Sequence, residues 1–420
     1  MKLVTDLHIH SRFSRATSKK ITIPNLEKWA RIKGVNLLGT GDFTHPKWIQ
    51  ELKDNLTEDD SGVLRTKSGF PFVLSTEISL MYTQDNKGRK IHNVVLAPNF
   101  EVVKQITEYL KTHGRVDYDG RPIFGIKAPE FTESLMQISD KIEIIPAHIW
   151  TPWFGMLGSK SGFDSIEEGF KDQSKHIHAI ETGLSSDPQM NWRLSKLDKY
   201  QIVSFSDAHS FWPWRIGREA TVFDIKPTYD ALIKAIRTGK GLLETVEVDP
   251  SYGKYHWDGH RKCGISMTPK QAMKTNNICP VCGHPLTIGV LHRVEKLADR
   301  PENYKPKNRP GFKALIPLSE LISTSLGIKQ LYSKKVFETY NKLNSAFGSE
   351  FSILLDASKN QLKEFANEKL VGLILKNRKG EIDIKPGFDG VYGKALLDGK
   401  EPEENIKSKP KIRQKNLLDF

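Results

Sequence analysis

Over residues 1–245 short apolar runs alternate with amphipathic stretches. This alternation constrains the chain more than any other feature, because a strand joined to the next through a helix tends to lie parallel to it in one sheet. Seven runs read as strands: Lys2 to Thr5, Asn36 to Leu38, Phe72 to Leu74, Asn93 to Leu96, Glu143 to Ile145, Ala179 to Ile180 and Ile202 to Ser204. Helical segments such as Pro24 to Lys33, Glu101 to Thr112 and Pro227 to Arg237 fall between them. The pattern predicts an α/β fold that closes as a β/α barrel.

The chain is 420 residues long, more than one hydrophobic core usually supports, and its texture changes beyond the barrel. Residues 246–305 are rich in loops and poor in periodic apolar positions, so something other than a core must hold them. Residues 306–398 turn helical, with Leu318, Leu321, Ile322, Leu326, Phe337, Tyr340 and Leu343 recurring at three- and four-residue intervals. Within them, KGEIDIKPGFDGVYGKALL reads as a hairpin or loop. Residues 399–420 are charged and contain proline, as a flexible tail would. No apolar run approaches the roughly 18 residues of a membrane span, and MKLVTDLHIH lacks signal-peptide organisation. A soluble cytoplasmic protein without a membrane partner is expected. Sixty-three Lys and Arg against fifty Asp and Glu give a net charge of +13, which favours a nucleic-acid partner.

Nearly every predicted strand ends in metal-ligand chemistry. Asp6, His8 and His10 follow the first, Asp42 and His45 the second, and Glu77 the third. His92 opens the fourth, His148 follows the fifth, Glu181 the sixth, and Asp207 with His209 the seventh. Barrels assemble their sites from strand C-termini, so these positions should converge. Imidazole mixed with carboxylate suits zinc, manganese or iron better than calcium.

A second metal site is written in the cysteines. Only three exist, Cys263, Cys279 and Cys282, too few and too close for a disulfide framework. His260 two residues before Cys263, followed by Cys279-Pro-Val-Cys282, gives two ligand pairs with structural-zinc spacing. His256 or His284 is an alternative fourth ligand, and His260 is preferred because its spacing mirrors the second pair.

The segments DLHIHS, STEIS, HNVVL, PAHIW and SFSDAHS, in that order, resemble the motifs of the PHP (polymerase and histidinol phosphatase) superfamily. The resemblance implies a distorted seven-stranded barrel and two or three divalent ions, zinc with or without magnesium or manganese. It also implies ligand roles for His8, His10, Glu77, His92, His148, Asp207 and His209, with catalysis dependent on Asp207 and His148. Where many members carry a further histidine and a Thr-Asp-His, this chain reads SRFSRATSKK and GTGDFTHP, so Asp42 is the expected replacement ligand.

Adding YHWDGHRKCG, NNICPVCGHPLTIGVLHRVEKLADR and RPGFKALIPLSELI, the chain is similar over almost its whole length to the endonuclease Q family. That similarity implies cleavage of DNA on the 5′ side of uracil, hypoxanthine, xanthine or an abasic site, leaving 3′-hydroxyl and 5′-phosphate ends. Such an enzyme must extrude the base. Trp150, Trp153, Phe154, Phe211, Trp212 and Trp214 are candidate rim aromatics, and Lys160, Arg193, Arg215 and Arg218 candidate DNA contacts. Finally, Gln414, Leu417 and Phe420 match the sliding-clamp pattern Gln-x-x-Leu-x-x-Phe, which the family resemblance links to PCNA. The rival reading is a PHP phosphatase acting on a small phosphorylated metabolite or nucleotide, which would need neither the cysteine module nor the tail.

Overall fold

The structure, a computed structural model, describes residues 2–396. All seven predicted runs fall in or overlap strands: β1 (Lys2–Asp6), β2 (Leu37–Gly39), β3 (Pro71–Gln84), β4 (Lys87–Ala97), β5 (Glu143–Pro146), β6 (Ala179–Glu181) and β7 (Gln201–Val203). Three more, β8 (Ala220–Asp224), β9 (Leu242–Glu247) and β10 (Gly311–Ala314), extend the sheet. Neighbours run in the order β10, β9, β8, β1, β2, β3, β4, β5. β1, β2 and β3 are parallel, as expected. The β3–β4 and β4–β5 pairs are antiparallel instead. The reason is local: Asp85 and Asn86 both take positive φ, 52° and 58°, the two-residue hairpin turn whose twist suits antiparallel strands.

The circle closes through β6 and β7, a separate parallel pair. Ile149 N–H, just past β5, donates to Glu181 O at 3.1 Å, and His10 N–H, just past β1, donates to Ala208 O at 3.0 Å. Ser204 N–H donates to Thr221 Oγ1 of β8. This is the distorted barrel, with its loops at the C-terminal ends of β1, β2, β5, β6 and β7 gathered at one mouth.

Helices pack outside with apolar stripes inward. In α1 (Ile23–Lys33) the Thr22 hydroxyl accepts from Asn25 N–H, Pro24 sits in the first turn, and Gly34 ends the helix at φ 99°. α2 (Phe100–Lys111) buries Val103, Ile106 and Leu110 at three- and four-residue spacing, and α3 (Tyr229–Thr238) buries Leu232, Ile233, Ala235 and Ile236.

The later segments are bound to the barrel. β10 lies parallel to β9. The helices α4 (Leu318–Ser325), α5 (Lys334–Phe347) and α6 (Glu368–Lys379) pack together beside α1. There Lys33 Nζ meets Glu350 Oε1 at 2.6 Å with both side chains buried. Trp29, Trp212, Trp214 and Phe337 form one aromatic cluster across the same junction. The expected hairpin pairs Ile384–Lys385 with Lys394–Ala395 and lies on residues 251–261, where Trp257 N–H donates to Gly387 O and Gly393 N–H to Tyr252 O. Among the described residues no helix is long and apolar enough to cross a membrane. The clamp-pattern residues Gln414, Leu417 and Phe420 lie outside the described residues.

Candidate active site

Extended backbone after β1 places His8 and His10 on one face, with Ile9 between them buried in the core. Glu77 lies inside β3 and His92 inside β4, diagonal across the antiparallel register in which Glu77 faces Val94 and Ser79 faces His92. His148 and Asp207 sit just beyond β5 and β7 with φ of 33° and 48°. Asp42, beyond β2, is at 46°. Strained left-handed backbone at three mouth positions fits a site whose geometry is imposed by the surrounding fold.

The ligand atoms form two groups that share one residue. His8, His10, Glu77 and Asp207 lie within 4.8 Å of one another, as do Glu77, His92 and His148. Glu77 divides its carboxylate between them. Its Oε2 is 3.2 Å from His10 Nε2 and 3.6 Å from His8 Nε2. Its Oε1 is 2.6 Å from His92 Nδ1 and 3.1 Å from His148 Nε2. Asp207 Oδ1 completes the first group at 3.0 Å from His10 Nε2. The donor set and its convergence fit two divalent cations. The first group offers four side chains and the second three, which leaves the second open to water or substrate.

Burial of these groups in low dielectric makes their protonation interdependent. Burial alone would raise Glu77, yet His92, Arg121 and His8 together hold it well below the usual carboxylate range. Burial likewise opposes protonation of His8, but Glu181 and Glu77 raise it well above an ordinary histidine. His92 goes the other way, pushed down to about 4 by burial against the pull of Glu77.

Four expected or potential ligands take other positions. Asp42 faces the far nitrogen of His10, Nδ1, at 3.0 Å, and also accepts from Ser11 N–H and Ser14 Oγ. Its oxygens are spent on the protein, so it orients His10 and does not join either group. Glu181 plays the same part for His8, at 2.9 Å from Nδ1, and accepts His148 N–H at 2.7 Å. Carboxylates behind ligand histidines fix the ring and its tautomer. The His209 ring lies 4.5 Å from that of His10, tilted by 57°, and points Nδ1 at the Asp207 carbonyl, outside both groups. His45 stacks on Phe13.

A cavity of about 560 Å³ opens beside these ligands. Trp153, Phe154 and Trp214 line it together with Arg215 and Arg218. Other aromatic and basic candidates lie elsewhere. Trp150 is fully buried with its indole N–H donating to Asn191 Oδ1 at 2.8 Å, so it belongs to the core. Trp212 packs against Trp29 and Phe337, and Phe211 beside it is buried. Arg193 is buried in a two-pronged pair with Glu295, and Lys160 is exposed away from the cavity lining.

Sequence reasoning missed Arg121, whose Nη1 is 3.1 Å from Glu77 Oε2 and whose side chain lines the cavity. It comes from the irregular stretch 112–122, which has no periodicity to read. A close contact marks the loop: a Cβ on Gly120 would lie 2.1 Å from Asp42 Oδ2. Also missed were Tyr252, Tyr255 and His256, which bring the segment after β9 to the cavity, and Pro317 and Glu320, which bring the helical region.

Farther along, His260, Cys263, Cys279 and Cys282 converge within 4.8 Å, with Cys282 Sγ 3.2 Å from His260 Nδ1. Neither alternative fourth ligand joins them: His256 lines the cavity, and the His284 ring stands 6.3 Å from that of His260. Four soft and borderline donors without carboxylate fit a tetrahedral zinc.

Comparison with known proteins agrees along the whole chain. The lesion-specific endonuclease PfuEndoQ from Pyrococcus furiosus superposes with a TM-score of 0.85 at 32% identity, covering 98% of both chains. An endonuclease Q complex with a 27-mer duplex bearing an abasic lesion at its active site gives 0.84 at 32% identity, covering 99% of this chain and 100% of that one. The uncharacterized protein YqxK of Bacillus subtilis is 30% identical over 415 residues, 94% of this chain and 99% of its own length. The uncharacterized protein MJ0043 of Methanocaldococcus jannaschii is 33% identical over 287 residues, 67% of this chain, which spans only 34% of that relative. Residues 317–381 match the family described as the MJ0043 C-terminal domain.

Proposed function

The chain belongs to the endonuclease Q family and is a metal-dependent hydrolase acting on DNA, a repair nuclease; we propose that it cuts the phosphodiester 5′ of uracil, hypoxanthine, xanthine or an abasic site, leaving 3′-hydroxyl and 5′-phosphate ends. The observation that carries this reading is the divided carboxylate of Glu77, one oxygen toward His8 and His10 and the other toward His92 and His148. Such a site holds two cations, zinc alone or with magnesium or manganese. When bound, they supply a hydroxide nucleophile near neutral pH and neutralise charge on the phosphoryl group in the transition state.

The protein's own residues do the rest. Asp42 and Glu181 hold His10 and His8 in the ligand tautomer. Arg121, paired with Glu77 and facing the cavity, is placed to neutralise the scissile phosphate. The aromatic walls at Phe154, Trp153 and Trp214 receive an extruded nucleotide. Residues 1–245 form the catalytic barrel in this reading, 246–305 a zinc module and 306–398 a helical module. In the tail, 399–420, Gln414, Leu417 and Phe420 dock on a sliding clamp, PCNA in an archaeal setting. Deleting residues 414–420 leaves basal nicking unchanged and removes clamp binding in a pull-down.

The test is an incubation with divalent metal of three substrates: a uracil duplex, an abasic duplex and a small phosphomonoester. Nicking of the duplexes alone is expected. Turnover of the monoester alone would establish the phosphatase instead. Asp207→Asn should abolish nicking while DNA affinity, read by anisotropy, stays near wild type; nicking at the wild-type rate would remove Asp207 from the site.

A further inference from the structure

His256, four residues before the first ligand of the cysteine site, lines the wall of the catalytic cavity. Its ring is buried, 8% exposed, and among the described residues Nδ1 has no hydrogen-bond partner. Buried imidazole nitrogens are ordinarily paired, and an orphaned N–H is rarer than an orphaned lone pair. The backbone that carries the ring is fixed from both sides: His256 N–H donates to Gly253 O at 3.3 Å, Leu291 N–H donates to His256 O at 3.1 Å, and Val290 N–H donates to Tyr255 O at 2.7 Å. Burial also pushes its pKa down to about 4, against a small pull from Asp249, so the ring is neutral.

A neutral imidazole carries one proton. Placing it on Nδ1 would bury a donor with nothing to accept it, so the proton belongs on Nε2, the nitrogen left available to a ligand. The surrounding protein therefore offers the cavity a donor with a fixed tautomer. Deamination replaces the exocyclic amino group of cytosine or adenine with a carbonyl, O4 of uracil or O6 of hypoxanthine. An Nε2–H pairs with that oxygen and faces a second donor where the amino group remains. The geometry points to His256 as a specificity-determining residue that reads the carbonyl at C4 or C6, separating uracil from cytosine and hypoxanthine from adenine, though not from thymine or guanine, which carry the same oxygens. This rests on the endonuclease reading above. The orphaned Nδ1 is what makes the reading one-sided, since accepting from an amino group would require moving the proton to the unpaired nitrogen.

The experiment compares wild type and His256→Leu on duplexes carrying an abasic site, uracil, hypoxanthine, or unsubstituted purine, which lacks O6. In the variant, kcat/KM for uracil and hypoxanthine relative to that for the abasic site should fall roughly tenfold or more, about 1.4 kcal/mol. Wild type should cut the purine duplex less well than the hypoxanthine duplex by a similar factor, and the variant should no longer distinguish them. His256→Gln, which keeps an N–H donor, should recover part of the loss. A parallel fall on all four duplexes would show a structural role and overturn the proposal, as would an unchanged uracil rate. If wild type cuts only the abasic duplex, this inference fails while abasic nicking stands; if it cuts none, the endonuclease reading fails with it.

Discussion

The barrel mouth and the cysteine module both bring a handful of ligands to a point, by opposite means. Around the barrel site the ligands are held by the fold: Asp42 and Glu181 fix two histidines, and strands full of buried Val, Ile and Leu fix the rest. In the module the hydrophobic cluster around the ligands reduces to Ala272, Cys279 and Leu286, with Cys263, Ile265 and Met267 half-buried around them. Two of these six are themselves ligands. Under the proposed function, a cation that assists chemistry in one place stands in for hydrophobic burial in the other.

The sharpest way to break this comparison is Cys282→Ala. Structural zinc contributes on the order of 10 kcal/mol to small-module folding. The variant should lose one zinc per chain by metal analysis and lose hydrogen-exchange protection across 258–288, while amides of β4 such as Val94 and Leu96 stay protected. Loss of protection in β4 as well would mean the two regions are one cooperative unit.

Glu77→Gln probes the other half. One group loses its oxygen to an amide nitrogen and the other keeps only a neutral carbonyl oxygen, so nicking should fall about 1,000-fold or more, roughly 4 kcal/mol in barrier. Exchange protection in 258–288 should be untouched. A variant that unfolds the module would erase the distinction.

A third change tests how the barrel is tied to the helices. Lys33→Met leaves Glu350 buried with only Leu318 N–H and Tyr340 OH as donors. Breaking one side of a buried pair costs roughly 3–5 kcal/mol, readable by urea titration. No effect on zinc content is expected.

The smallest effect is a pH slope within the barrel. Burial raises Glu247 from its ordinary 4.5 to about 8, against hydrogen bonds from Thr245, Ser204 and Thr182, and Glu219 beside it is also raised. A raised carboxyl binds its proton more tightly when folded, so the stability this group contributes is fully present below about pH 4.5 and is lost as pH rises toward 8. Glu247→Gln should flatten that part of the thermal-midpoint profile, by on the order of a few kcal/mol at the alkaline end. An unchanged slope would assign it to other groups.

What could be read in advance follows from the same contrast. Strand positions were legible because buried strands are apolar runs, and the cysteine site because four ligands at fixed spacing leave little choice. β8 and β9 escaped notice because Thr221, Thr245 and Glu247 interrupt them with polar residues that are nonetheless buried. Asp42 and Asp207 look alike in sequence, each a carboxylate beyond a strand, and only coordinates show one behind a histidine and the other beside it. Arg121 and His256 sit in stretches without period, so nothing but the cavity identifies them.

The cavity draws its walls from the barrel through Arg218, then from Tyr252 and His256, then from Pro317 and Glu320, and last from Tyr392. A ribosome delivers them in that order. At about 5–20 residues per second, the nascent barrel emerges with every ligand of both groups on the order of ten seconds before the final wall exists. During that interval the chain has the means to cleave and no chamber in which to hold a nucleotide. Under the proposed function, order of translation separates metal loading from nucleotide capture, and ribosome-stalled chains ending near residue 250 should bind metal yet leave lesion-bearing DNA intact.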